Sequence, residues 1–276
     1  ARMYGAGDIR LEEMPVPAIG EQELLLKIKA AAICGTDVRM FTNGAAGIDP
    51  EHPRVLGHEI AGVIEAVGAG VTGYHKGQRV AVAPNMGCGI CDCCVRGDGH
   101  LCPTYKALGI NLDGGFAEYC VIPEAAVRGG NVTVLDDEVS FEEAAVNEPL
   151  SCVCNGFERA AIRPGDFVLV FGAGPIGILH LALARMAGAG KVMVSDPIDA
   201  RLQAVKALYP DVITLQGDVA EEIRRITGGH GCDVVITACP VPAVQTQALE
   251  LAALEGRVIF FGGVPASKQP VPLDTN

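Results

Sequence analysis

Positive charge is scarce in this 276-residue chain: 21 Lys and Arg stand against 33 Asp and Glu, for a formal net charge of −12. No basic stripe runs through it, which argues against nucleic acid and anionic membrane surfaces as partners. Long apolar runs are missing as well. Each is cut by Gly, Pro or charge before the ~20 residues that a membrane span needs. The chain opens Ala1-Arg2-Met3-Tyr4, so no charged-then-apolar leader is expected. Internal repeats and low-complexity segments are absent too. What remains is a soluble, globular composition, 49% apolar and 20% charged, with material for two cores.

Glycine and cysteine are the residues in excess. Gly occurs 35 times in 276 positions, well above the usual ~7%, which predicts many tight turns and close backbone approaches. Eleven cysteines, an odd number, suit a reducing compartment, the cytoplasm, better than a disulfide framework. Cys120, Cys152, Cys154, Cys232 and Cys239 are expected to be inert buried thiols. Cys88, Cys91, Cys94 and Cys102 differ from them. They are spaced C-x2-C-x2-C-x7-C within a segment rich in Gly87, Gly89, Gly97 and Gly99. That spacing predicts a structural zinc closed by four thiolates, with a redox or iron–sulfur cluster as the alternative. Cys93 interrupts the series, and the even spacing favours the other four. The segment 85–103 shows no apolar periodicity, so a metal rather than a core must organise it.

Residues 1–125 contain short strand-like runs between turns, among them Leu24 to Ala32, Val63 to Val67 and Arg79 to Ala83, which predicts a compact, barrel-like β domain. Near residue 140 the rhythm changes. Ser140 and Glu143 form a candidate capping box for a helix, and Leu150 to Ala161 is helix-like. Beyond Pro164-Gly165-Asp166 five strand-like runs (167–171, 191–195, 212–215, 233–238 and 257–261) alternate with helical stretches at 175–188, 199–208, 218–227 and 242–254. This is the pattern of a doubly wound parallel sheet. Two domains follow, 1–150 and 151–276.

Val168-Leu169-Val170-Phe171 leads into Gly172-Ala173-Gly174-Pro175-Ile176-Gly177 and then an apolar helix. A G-x-G-x-x-G between strand and helix is the setting in which that motif cradles a dinucleotide pyrophosphate on free N–H groups. Asp196 lies about 20 residues on, at the end of the second strand, where a carboxylate meets the adenosine ribose and repels a 2′-phosphate. This predicts NAD over NADP, with Arg201 able to soften the preference. The alternative is that Asp196 only caps the helix through Ala200 and Arg201.

Three further segments carry metal-ligand chemistry: Cys34-Gly35-Thr36-Asp37, Gly57-His58-Glu59-x-x-Gly62, and Asn147-Glu148-Pro149-Leu150. No second His stands four residues after His58, so a helical metalloprotease site is absent. A mixed Cys/His/carboxylate set leaves a coordination position open for substrate.

Together with Gly114-Gly115-Phe116-Ala117-Glu118-Tyr119, these motifs resemble the zinc-dependent medium-chain alcohol dehydrogenase family over nearly the whole chain. The resemblance implies a GroES-like β-barrel catalytic domain, then a Rossmann domain, with the site in the cleft between them. It implies a catalytic zinc held by Cys34, His58 and an acid, with Glu59 and Glu148 both candidates. Asp37 would orient His58 from behind. Thr36 resembles the family's hydroxyl relay, but Arg39 stands where a His is common, so solvent is an alternative proton sink. Glu148-Pro149-Leu150 is similar to the polyol-dehydrogenase branch. The implied activity is NAD-linked oxidation of a secondary alcohol or polyol. The alternatives are an L-threonine 3-dehydrogenase, a non-catalytic NAD-binding structural protein, and a quinone reductase lacking the zinc ligands. A homodimer or homotetramer is implied as well. The family continues past Asp274-Thr275-Asn276 with a last strand and C-terminal helices, so a fragment is expected here.

Overall fold

The computed structural model describes residues 1–264 and 271–272; the chain end at Asp274-Thr275-Asn276 lies outside them. The chain forms two compact units, Ala1–Pro149 and Leu150–Asn276. No helix among the described residues is long and apolar enough to cross a membrane.

The first unit contains β1 (Arg2–Gly5), β2 (Asp8–Arg10), β3 (Leu24–Ala32), α1 (Gly35–Asn43), β4 (Arg54–Val55), β5 (Glu59–Val67), β6 (Arg79–Val82), β7 (Asn85–Met86), α2 (Asp92–Val95), β8 (Lys106–Ala107), β9 (Tyr119–Ile122), α3 (Glu124–Arg128) and β10 (Val132–Val134). Its main sheet is antiparallel, in the order β10-β6-β5-β3-β9. Alternate residues of its strands (Leu24 and Leu26, Ile60 and Ile64, Val80 and Val82) point into one core, as the two-residue period of a strand requires. The β3–β5 ladder is the longest. It runs from Leu24 opposite Val67 to Ala32 opposite Glu59.

α4 (Phe141–Ala160) contains the boundary between the units. The expected capping box opens it: the Glu143 N–H donates to Ser140 Oγ (3.2 Å), and the Ser140 N–H donates to Glu143 Oε2 (2.9 Å). The sequence suggested two helical pieces, but Pro149 does not divide this helix. Cys120 and Cys232 are buried as expected. Cys152, Cys154 and Cys239 are only half-buried, the first two because they flank the inward-facing Val153.

The second unit alternates strand and helix: β11 (Phe167–Phe171), α5 (Pro175–Met186), β12 (Lys191–Ser195), α6 (Asp199–Leu208), β13 (Ile213–Leu215), α7 (Val219–Thr227), β14 (Cys232–Thr237), α8 (Pro242–Glu250) and β15 (Ala252–Phe260). All pairings are parallel, in the order β13-β12-β11-β14-β15. Val168 and Val170 pack with Leu181 of α5 and Leu202 of α6 on one face. Leu169 and Phe171 pack with Ile223 of α7 and Ala248 of α8 on the other. Burial on both faces explains why these strands are apolar without alternation. The expected helix 242–254 ends earlier, at Glu250. The helix-favouring residues Ala252 to Glu255 join the β14 ladder instead, Cys232 opposite Ala252, with a register shift before Val234 pairs with Arg257. Tertiary pairing overrides helical propensity there.

Candidate active site

The β3–β5 ladder assembles the first site. Because Ala32 pairs with Glu59, Cys34 at the start of α1 arrives beside His58 and Glu59. One ligand atom from each of Cys34, His58 and Glu59 lies within 4.8 Å of the others. His58 and Glu59 are buried and Cys34 is half-buried. Glu148 is half-buried on α4 and falls outside this threesome.

Asp37 ties the two segments together. Its Oδ2 accepts the Cys34 N–H (2.8 Å), and its Oδ1 accepts the Gly57 N–H (3.4 Å). The same Oδ1 lies 3.6 Å from His58 Nδ1, a buried nitrogen with no hydrogen-bond partner among the described residues. Burial works against a charged His58 ring, yet Asp37 and Cys34 beside it hold the proton and push it up to about 10. Burial raises the Glu59 carboxyl. A thiol, an imidazole and a carboxyl that converge in a buried space, one of them with an unpartnered nitrogen, fit a divalent zinc in ligand type and number. Thr36 lies in the first turn of α1, and its Oγ1 accepts from the Arg39 guanidinium (3.3 Å).

Gly57 has φ of +91°, a region favouring glycine. A Cβ there would strike the Phe116 ring, and a Cβ at Gly109 or Gly114 would strike the Gly57 backbone. The Phe116 N–H donates to the Leu56 carbonyl (2.9 Å) and the Gly115 N–H to the Gly57 carbonyl (2.8 Å). The Gly114 to Tyr119 motif thus packs against the turn that delivers His58. Residue-by-residue reading gave this motif no role, because the contact spans more than fifty positions. The roles of Asp37 as a two-segment tie and of α1 as a helix were missed too. The Asp three residues after Cys34 was the available signal.

The second site is the cysteine lobe. Ligand sulfurs of Cys88, Cys91, Cys94 and Cys102 lie within 4.8 Å of one another. Backbone amides aim at them: the Cys88 N–H at Cys102 Sγ (3.3 Å) and the Cys91 N–H at Cys88 Sγ (3.4 Å). A hydrogen bond from Thr104, with help from the Cys88 N–H, pulls the Cys102 thiol down to about 6. Four converging thiols, one already inclined to ionise, fit a closed zinc shell. Cys93 is not of the foursome and lies 3.9 Å from the Arg96 guanidinium.

In the second unit the Gly172 turn connects β11 to α5, with Pro175 in the first turn of the helix. Gly172 takes a φ of +102°, and a Cβ at Gly177 would run into the Gly172 carbonyl oxygen. With Gly174 as N-cap, the Ile176 and Gly177 N–H groups precede the first intrahelical donor, Ile178, and are available to an anion. Asp196 follows β12 and is buried; Arg201 of α6 lies 3.4 Å from its Oδ2 with an exposed side chain. Asp196 does not cap α6 from the N-cap position, which Ile198 occupies.

Two family descriptions match the chain: "Alcohol dehydrogenase GroES-like domain" over residues 20–129 and "Zinc-binding dehydrogenase" over residues 175–276. A sorbitol dehydrogenase of Bacillus subtilis is 36% identical over 99% of this chain and 77% of its own length. An L-threonine 3-dehydrogenase of Symbiobacterium thermophilum is 38% identical over 96% of this chain and 74% of its own. Among solved structures, the alcohol dehydrogenase TADH from Thermus sp. ATN1 superposes with a TM-score of 0.88 at 30% identity, covering 99% of this chain and 79% of that one. With the motifs, the two folds and these likenesses in agreement, the chain belongs to the zinc-binding alcohol dehydrogenase family, a GroES-like unit followed by a Rossmann unit.

Proposed function

We propose that this chain oxidises a secondary alcohol or polyol to a ketone and passes the hydride to NAD. The observation that carries the reading is the convergence of Cys34, His58 and Glu59 within 4.8 Å, in a chain whose other unit presents the Gly172 turn. Zinc bound by these three residues would lower the pKa of the substrate hydroxyl, and NAD would accept the hydride.

The protein's own residues prepare that step. Cys34, His58 and Glu59 bind the metal, and Glu59 is preferred to Glu148 because it shares the cluster. Asp37 orients His58 and fixes the Cys34 backbone. Thr36 offers the hydroxyl through which the proton leaves. The Arg39 guanidinium donates to Thr36 and cannot accept a proton, so the path beyond Thr36 ends in solvent. Glu148 serves the same metal as a second acid. Cys88, Cys91, Cys94 and Cys102 hold a structural zinc. Gly172, Gly174, Ile176 and Gly177 cradle the cofactor, with Pro175 starting the helix and Asp196 and Arg201 at the ribose side. The sorbitol dehydrogenase likeness supports polyols as the first substrates to try, and a homo-oligomer in a reducing compartment accompanies the reading.

The test is an absorbance assay for reduced nicotinamide with the zinc-loaded chain, NAD, and a panel of polyols, vicinal diols, simple secondary alcohols and L-threonine. Turnover highest on a polyol or diol is expected. Turnover highest on L-threonine moves the substrate to the amino alcohol, and no turnover on any member with both metals bound sinks the enzyme reading.

A further inference from the structure

The ribose end of the cofactor site holds an acid and a base with opposite preferences. The Asp196 carboxylate suits the free hydroxyls of NAD. The Arg201 guanidinium, 3.4 Å from Asp196 Oδ2 on an exposed side chain, is the kind of group that accommodates the 2′-phosphate of NADP. A further fixed charge at this end of the sheet would tip the balance.

Asp199 supplies one. The β12–β13 ladder closes with Ser195 opposite Leu215, so Asp196 and Gln216 leave neighbouring strands side by side. Gln216 Nε2 donates to Asp199 Oδ1 at 3.1 Å, and Gln203 Nε2 of α6 donates to Asp199 Oδ2. Asp199 stands in the first turn of α6, three residues after Asp196. One amide draws its carboxylate toward the end of β13, and the other braces it along its own helix. The group is exposed but tethered on both oxygens. Both partners are neutral amides, which donate hydrogen bonds and leave the negative charge uncancelled. Asp196, by contrast, has the Arg201 cation beside it.

We infer that Asp199 is a specificity-determining residue for the cofactor. It opposes the attraction of Arg201 and repels the 2′-phosphate of NADP, a phosphate monoester with nearly two negative charges, while Asp196 serves the ribose hydroxyls of NAD. Gln216 and Gln203 hold Asp199 in that position. The inference rests on the reading of Gly172–Gly177 and Asp196 as the NAD site. It adds to that site a residue outside both the glycine motif and the acid that ends the second strand.

The test is titration of NADH and NADPH into the full chain, followed by nicotinamide fluorescence, at low and at high ionic strength. For Asp199→Asn at low salt, NADPH affinity is expected to rise roughly fivefold or more, with NADH affinity unchanged within about twofold. High salt should shrink the gain, because an exposed charge is screened. Gln216→Ala releases one side of the tether and should give a smaller gain of the same sign, whereas Arg201→Ala should weaken NADPH. Asp137→Asn removes an exposed acid from the first unit, alters the net charge equally, and should leave the ratio of the two affinities as it is. An unchanged ratio in Asp199→Asn overturns the inference. So does an equal gain for both cofactors, which is general repulsion by an acidic chain, and so does a wild type that prefers NADPH. A wild type that binds neither cofactor overturns the NAD site itself; one that binds NADH with a ratio indifferent to residue 199 leaves the site standing and removes only Asp199.

Discussion

The two candidate metal-binding clusters are built from overlapping residue types by opposite means. Around Cys34, His58 and Glu59 the scaffold comes first: a nine-residue strand ladder sets the register, Asp37 bonds both segments, and two of the three donors are buried. Around Cys88, Cys91, Cys94 and Cys102 there is almost no scaffold. Ile90, Val95 and Leu101 are 85%, 75% and 60% exposed, and only Cys102 of the four thiols is buried, so this lobe has no apolar interior of its own. With metal bound to both, the difference would separate a site that holds its shape for a metal from a segment that takes its shape from one.

Stripping zinc breaks the comparison most severely. A structural zinc contributes on the order of 10–16 kcal/mol to the order of a segment that lacks a core. A strong chelator, or Cys94→Ser, is expected to release the lobe, read as fast amide exchange across residues 88–102 while β3 and β5 stay protected. Equal loss of protection in both regions would show that the ladder depends on metal as well. Glu59→Gln is the counterpart. Only the lobe zinc should remain by metal analysis, with turnover falling by at least the roughly 10–100-fold seen when lesser supports of a metal site are removed, and with little change in melting temperature. Glu148→Ala should cut turnover far more than NAD affinity; equal loss of both would remove Glu148 from the metal's service. Asp37→Asn is expected to lower zinc affinity at the first site by roughly 10–100-fold and to leave the lobe unaffected.

Two buried histidines give the mildest test. His58 has Asp37 beside it and is pushed up to about 10, whereas His180 of α5 has no hydrogen-bond partner among the described residues on either ring nitrogen and lies edge-on to Phe261 at 4.8 Å. Burial pulls His180 down to about 4 from its ordinary 6.5. The unfolded chain therefore takes up a proton near pH 6.5 that the folded chain refuses until about pH 4. The stability His180 contributes is complete above pH 6.5 and drains away as pH falls toward 4. By pH 5.5 the wild type should lose about 1 kcal/mol relative to a His180→Leu variant, measured by urea unfolding at pH 7.5 and 5.5. Parallel pH curves for the two proteins would remove His180 from the account.

Local patterns were legible in the sequence and distant register was not. The cysteine spacing, the Gly172 motif and the Ser140–Glu143 cap each lie within one short segment; the four sulfurs converge, the glycine turn joins strand to helix, and the cap closes. The choice between Glu59 and Glu148 stayed open because the pairing of Ala32 with Glu59, which brings Glu59 beside Cys34, is a long-range register that spacing along the chain does not reveal. The end of α8 was misplaced because residues 252–255 suit a helix by composition and join a strand by contact. Arg39 was noted as a departure, but its bond to Thr36 depends on α1, a helix too short and too polar to stand out.

The meeting of Gly57, Gly109 and Gly114 bears on any attempt to retune this enzyme. Main chain lies against main chain there, with no side chain to flex and absorb an error. Grafting a relative's 109–115 loop to broaden substrate scope would transmit each displacement to His58, and so to the candidate metal site. Library design should hold those three glycines constant and spend its diversity elsewhere.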